Sequence, residues 1–216
     1  MRACFIFSIV CLLSLALCQC TTSRFKGGAY QSADRKLTCR LPSHNTAWTM
    51  KKESGPGSQA VTWWDDFTGE LYKVEILDAS MLPSEFLALP KREQMMTNLT
   101  IVLNNLRSVS AQSRLISQRY LADIQGGASY GFYNAPGTSP IVTTRGTPNG
   151  PYHSSRANVT RAVMSFRSQR HLVIVTHINE HLGAIINPEA PISFVKNEEQ
   201  SLPKLLAFVR SIQLSD

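Results

Sequence analysis

Two runs of residues, Ala162 to Arg167 and Leu172 to His177, flank the polar tetrapeptide Ser168-Gln169-Arg170-His171. The second opens with Leu172-Val173-Ile174-Val175, in which β-branched residues leave no polar face. Such a run suits a strand buried on both sides. A hairpin of this kind needs neighbours in its sheet and a layer on each face, which restricts the chain to layered folds.

The rest of the chain supplies those neighbours and layers. Leu37 to Leu41 alternates and ends at Pro42, Val61 to Asp65 follows the breaker Ser54-Gly55-Pro56-Gly57, and Leu71 to Leu77 sets Tyr72, Val74 and Ile76 against Lys73 and Glu75. The last two are joined by Asp66-Phe67-Thr68-Gly69-Glu70, a loop of hairpin length, so they are expected to pair antiparallel. Tyr120 to Ile124 and Ser129 to Tyr133 read as further extended segments. Pro90 fits the first turn of a helix whose Met95, Leu99, Val102, Leu103, Leu106 and Val109 recur at spacings of three and four. Lys91, Arg92, Asn98, Asn105 and Arg107 fall on its polar side. A closing helix is expected with Ser201 as cap, Pro203 in its first turn and Leu202, Leu205, Leu206, Val209 and Ile212 facing inward. Strands and helices do not alternate regularly. The expected fold is therefore α+β: one domain with a mainly antiparallel sheet flanked by helices.

The N-terminus reads differently. Arg2 precedes an apolar run from Ala3 to Leu17, broken only by Ser8 and Ser14, and polar Thr21-Thr22-Ser23-Arg24 follows Cys20. That is the layout of a secretory signal, with an apolar core shorter than the roughly 20 residues that cross a bilayer. Residues 1–20 are read as the signal, 21–29 with Gly27-Gly28 as a linker, and 30–216 as the domain. Cys18 and Cys20 are both lipidation candidates, because the segment resembles a lipoprotein signal with Leu15 or Leu17 three residues ahead. The small residue such signals place before the cysteine is replaced by Leu17 or Gln19, and ordinary cleavage after Ala16 and Cys18 is the alternative. Destination follows from that choice: the cell envelope through a lipid anchor, or release into the periplasm or medium. Cys39, inside a strand-like alternation, reads as a buried structural thiol.

Several short stretches look like a known outline. Tyr30-Gln31-Ser32-Ala33-Asp34, the Leu41-Pro42 step, the hairpin from Arg161 to Ile178 and the closing Phe208-Val209-Arg210-Ser211-Ile212 resemble the PsbP-like α/β/α sandwich, although Arg35 stands where a glycine normally follows the aspartate. The resemblance implies a noncatalytic binding or assembly module and transfers no binding residues.

One catalytic pattern matches. His177-Ile178-Asn179-Glu180-His181 fits H-x-x-E-H, in which two histidines four apart on a helix hold zinc and the glutamate activates water. Here His177 and His181 would be the metal ligands and Glu180 the catalytic base. The pattern follows a strand-like run, and Gly183 and Pro188 come soon after it. A metal-dependent hydrolase is thus the alternative to the binding module, for which no cofactor is expected. Asp65-Asp66 reads as a solvated turn, because neighbouring strand residues face opposite ways. Of Trp63 and Trp64 only one can face the core; a helix is expected over the other, and a binding surface there is the alternative. Asn98-Leu99-Thr100 and Asn158-Val159-Thr160 match the glycosylation acceptor.

Charge points to a partner. The chain carries net +7; without Met1 to Cys20 it keeps 21 basic against 15 acidic residues, net +6. Between Arg114 and Arg170 stand seven arginines and the single acid Asp123, so that stretch holds the whole excess. Within it, Asn134 to Asn158 is rich in Gly, Pro, Ser and Thr and is expected to be a long exposed loop. Arg145 and Arg156 on that loop are the candidate contacts to an anionic surface. Outside the cytoplasm the fitting partners are an envelope protein, lipid headgroups or acidic polymers, and not nucleic acid.

Overall fold

The computed structural model describes residues 24–26, 28–34, 36–42, 48–65, 68–138, 142–145, 153–156, 159–179 and 194–215. Six strands come first: β1 (Arg24–Lys26), β2 (Ala29–Gln31), β3 (Leu37–Arg40), β4 (Thr49–Gly55), β5 (Ser58–Asp65) and β6 (Glu70–Asp78). A short helix α1 (Ser84–Ala88) and the long α2 (Lys91–Val109) follow, then β7 (Arg114–Leu121), β8 (Ala128–Ala135), β9 (Val142–Arg145), β10 (His153–Arg156), β11 (Val159–Arg167) and β12 (His171–Asn179). Helix α3 (Phe194–Ser211) and β13 (Gln213–Leu214) close the chain.

Seven strands form one antiparallel sheet in the order β4-β5-β6-β12-β11-β8-β7. The hairpin expected from the sequence is β11-β12, with Phe166 opposite Val173 and Met164 opposite Val175, and the β-branched strand is the fourth of the seven. The fold is α+β in a single domain, as expected. A four-stranded sheet, β1-β2-β3-β13, lies beside α3 on one face of the large sheet. That face carries the main core: Trp63, Tyr72, Val74, Val173, Val175, Met164, Phe132 and Tyr130 meet Leu205, Phe208 and Val209 of α3 and Tyr30, Leu37 and Cys39 of the small sheet. Each such large side chain, taken out of water, stabilises the fold by about 1.5–3 kcal/mol. Cys39 is buried and unbridged, and burial pushes its thiol up to about 12.

Helix α2 packs on the opposite face, over β8, β11 and β7. Leu99 meets Tyr133 and Val163 there, while Met95 joins Phe86 of α1 and Leu172. Gly131 permits this contact, since a Cβ on it would lie 2.7 Å from the Tyr133 hydroxyl. That hydroxyl donates to the Leu99 carbonyl at 2.9 Å. The seam between sheet and helix therefore rests on one residue without a side chain.

Four expectations need correction. Ser54-Gly55-Pro56-Gly57 is expected as a breaker, yet only Pro56-Gly57 is the turn to β5, and Ser54 and Gly55 end the edge strand β4. Its mostly polar, exposed residues give no periodic apolar signal. Pro203 lies inside α3 rather than in its first turn, because the helix already begins at Phe194. Burial of Leu205, Phe208 and Val209 outweighs the one backbone bond proline removes. Val109, expected in the apolar stripe of α2, is 75% exposed, and Asn98, expected on its polar side, is 2% exposed. Finally, the Gly- and Pro-rich stretch contains the ribbon β9-β10.

Gly131→Val should lower stability by about 1–3 kcal/mol, because the added methyls must displace the Tyr133 ring. Chemical denaturation reads it, and unchanged unfolding would mean that the Tyr133 seam does not hold α2 to the sheet.

Candidate functional site

His177 is the one metal-site candidate with a described side chain. It sits on β12 opposite Tyr72 of β6, on the face that packs against α3. Its backbone is extended through Asn179, so the H-x-x-E-H pattern opens in a strand. Glu180 and His181 lie outside the described residues. Among the described residues no group of three His, Cys, Asp or Glu side chains could hold a metal ion.

His177 is engaged with a carboxylate instead. Glu70 Oε1 accepts the His177 Nε2–H at 2.9 Å, the Tyr72 hydroxyl at 3.1 Å and the Lys204 ammonium at 3.1 Å. His177 is 0% exposed and Glu70 2%. The Tyr72 ring lies 4.6 Å from the imidazole and 4.8 Å from the Phe208 ring. Burial disfavours the imidazolium more than the neighbouring carboxylate favours it, so His177 is held below its ordinary pKa and is neutral. Its proton is on Nε2, where Glu70 accepts it, and Nδ1 carries a lone pair with no partner among the described residues. Burial opposes charge on Glu70 too, but the His177 hydrogen bond together with the Lys204 charge outweighs it and holds the carboxyl below the usual carboxylate range. Tyr72 is pushed up by burial and by Glu70 and remains a donor. The network is an ionised carboxylate with three donors, closed to a substrate by burial of its carboxylate and imidazole.

Asp65 faces the same side, opposite Glu70 in register. It is 2% exposed rather than solvated, and it accepts the Thr68 hydroxyl at 2.9 Å. Asp66 lies outside the described residues.

The other face of β4, β5 and β6 carries a groove. Trp63 is fully buried, whereas Trp64 is half-buried on a groove of about 790 Å³ with Lys51, Thr62, Leu71 and Ile178 as neighbours, rather than under a described helix. Register sorts this face into rows: Trp64, Leu71 and Ile178 lie side by side, then Lys51, Thr62, Lys73 and Thr176, then Glu53, Ala60 and Glu75. Lys51 bonds Glu53 at 2.7 Å and Lys73 bonds Glu75 at 2.8 Å along their strands. The charges of this face therefore cancel locally.

Three of the arginines are engaged within the fold. Arg119 pairs with Glu198 of α3 at 2.6 Å, Arg161 donates to the Thr138 carbonyl at 2.8 Å, and Arg167 donates to Gln94 of α2 at 2.7 Å. Arg145 and Arg156 lie on the β9-β10 ribbon, Arg145 opposite His153 and Arg156 opposite Val142, three register positions apart. Cys18 and Cys20 lie outside the described residues, as does Asn158. Asn98 is buried, so a glycan on it has no room in this fold. Sequence reasoning missed Glu70 as the partner of His177 and Lys204 as a further partner of Glu70. The only available signal was Glu70 beside the hairpin loop, and nothing in sequence links it to a lysine 134 residues away.

Sheet, helices and buried network define a three-layer α+β protein with a groove on one sheet face. No family model matches the chain, and no curated protein is similar to it. Among solved structures it is similar to cyanobacterial PsbP (CyanoP) from Synechocystis sp. PCC 6803, with 13% identity over 87% of this chain and 91% of that one and a TM-score of 0.47. A Bacteroides thetaiotaomicron VPI-5482 protein is similar at 9% identity over 89% of this chain and 50% of that one, with a TM-score of 0.34. Neither likeness reaches the level at which a ligand or site could be carried across.

The network predicts acid lability with a definite sign. His177 is depressed, so the unfolded chain takes a proton below about 6.5 while the folded one resists, and stability falls from there downward. Glu70 is also depressed, so its contribution, complete above about 4.5, is lost as the pH falls through its lowered folded-state pKa. Glu70→Gln should lower stability at pH 7 by about 1–3 kcal/mol and flatten the acid limb of a melting-temperature profile. An acid limb of undiminished steepness in that variant would show that Glu70 is not the group that titrates.

Proposed function

We propose that this protein is a noncatalytic, exported or envelope-associated binding and assembly module that also contacts an anionic surface. The observation that carries the reading is the groove over β4, β5 and β6 with half-buried Trp64 on it. Trp64 and Leu71 lie there beside buried Ile178 in one apolar row, and the adjoining lysine and glutamate rows neutralise each other. A face with one large aromatic and locally cancelled charge suits a protein partner: aromatic anchors dominate binding energy, and paired charges at the rim set orientation. The closed Glu70–His177 network supports a binding role, since both side chains are spent on each other and on the core.

The anionic contact belongs to the β9-β10 ribbon, which places Arg145 and Arg156 on adjoining strands. Export rests on the signal-like layout of residues 1–20, with Cys18 or Cys20 offering the tether.

Two measurements test these parts separately. Mass spectrometry of the mature protein should show loss of Met1 through about Cys18 or Cys20, and a diacylglycerol-sized increment would place the anchor; an intact Met1 would remove the export reading. In vesicle sedimentation at low salt, protein lacking a lipid anchor should prefer anionic over neutral vesicles. Replacing Arg145 and Arg156 together with glutamine should weaken that binding by on the order of 1 kcal/mol per arginine, with little change in melting temperature. Equal binding to both vesicle types would reduce the arginines to ordinary surface charge.

A further inference from the structure

Next to that groove, a second and more apolar space lies between α2 and the sheet. It encloses about 660 Å³, within the range of small-molecule sites. One wall is a stripe of α2 with helical spacing, Asn98, Ile101, Val102, Asn105 and Val109. The facing wall is the sheet, with Leu77, Leu172, Ile174 and Val163. Leu82 and Phe86 from the α1 region add further apolar surface. Val109, which leaves the buried stripe of the helix, and Ile101, 45% exposed, both line this cleft.

Two features say what such a cleft would take. The Asn98 side chain lines it while buried, and its Nδ2 has no hydrogen-bond partner among the described residues. Buried amide donors are normally satisfied, so an acceptor oxygen is the missing chemistry at that position. The sheet also brings cationic and hydroxyl groups into the same cleft: Lys73 is opposite Thr176 in register, and Arg161 lies two residues from Val163, the next position in that row. Glu75 is the acid among the lining residues, and its charge is met by Lys73 at 2.8 Å. The lining thus offers net positive charge beside an apolar trough.

We propose that the cleft between α2 and the sheet binds an amphipathic carboxylate, a lipid-like acid whose apolar body carries an acceptor oxygen. The body lies along Ile101, Val102, Leu172 and Ile174, the carboxylate is drawn to Arg161, Lys73 and Thr176, and the acceptor oxygen satisfies Asn98. The site goes beyond the proposed protein-binding face: Lys73, Glu75, Arg161 and Thr176 border both spaces, whereas Asn98, Ile101 and Leu172 line the cleft alone and Lys51 and Trp64 the groove alone.

The test uses the purified protein with cis-parinarate as fluorescent probe and ricinoleate, oleate and oleyl alcohol as competitors. Parinarate fluorescence should rise on binding, ricinoleate should displace it better than oleate, and oleyl alcohol should be the weakest. Asn98→Leu should weaken ricinoleate by about tenfold, to the level of oleate, while leaving oleate unchanged. Ile101→Asp, at a partly exposed position, should abolish binding of all three, and it decides the matter if the Asn98 variant does not fold. Lys51→Glu should change nothing, which separates failure here from failure of the sheet-face reading. No fluorescence rise, or Ile101→Asp binding like the wild type, overturns the site. Oleyl alcohol binding as tightly as oleate overturns the carboxylate, and an Asn98→Leu protein that still prefers ricinoleate overturns the role of Asn98.

Discussion

The pairing of β6 with β12 joins two otherwise local assemblies. On one side β4, β5 and β6 follow one another as a meander; on the other, β7, β8, β11 and β12 make a second set of neighbouring strands. Nine register pairs, from His171 opposite Asp78 to Asn179 opposite Glu70, connect residues about a hundred positions apart. Closing so long a loop costs entropy that local hairpins do not, and the return is collected in the core above the junction. Tyr72 and Val74 of β6 and Val173 and Val175 of β12 meet Phe208 and Leu205 of α3 in a single cluster. The Glu70–His177 contact lies at one end of the same junction, so the ionic network fixes register where a slip would put each of these side chains on the wrong face.

The two faces of the sheet are treated unequally. Toward α3 the layer is continuous: the small sheet brings Tyr30 against Trp63, with ring centroids 5.1 Å apart, and α3 fills the remainder. Toward α2 coverage stops near β12, and polar residues begin to alternate with apolar ones on β5 and β6. Both the open groove and the cleft beside α2 follow from this one asymmetry. A helix over three strands of seven leaves a step in the surface, and steps are where partners and ligands gain contact area.

Much of this was legible beforehand because burial leaves periodic traces. The β11-β12 hairpin, the β5-β6 pair and α2 all announce themselves through apolar spacing, and the α+β class follows from their order. What did not show has physical causes. β4 is an edge strand whose exposed Lys51, Lys52 and Glu53 match no apolar template. The true start of α3 was hidden because Pro203 resembles a first-turn residue, although tertiary packing carries the helix through it. Asn98 looked like surface because an asparagine on a helix usually is. For His177 the spacing along the chain suggested a metal, while the partner the fold gives it arrives from β6 through sheet register, which spacing along the chain cannot encode.

The charged edge of β4 also governs how this protein behaves in company. An outermost strand is a template on which another chain could extend the sheet, and seven residues would suffice to start such growth. Lys51, Lys52 and Glu53 stand on that strand, exposed to water. An incoming strand would have to strip their hydration to lie alongside. At the opposite margin, Arg119 of β7 is held by Glu198 of α3, and Arg114 is exposed on the same strand. A sheet bounded by charge on both margins stays finite, so the molecule can be concentrated at a crowded surface without polymerising through its own backbone.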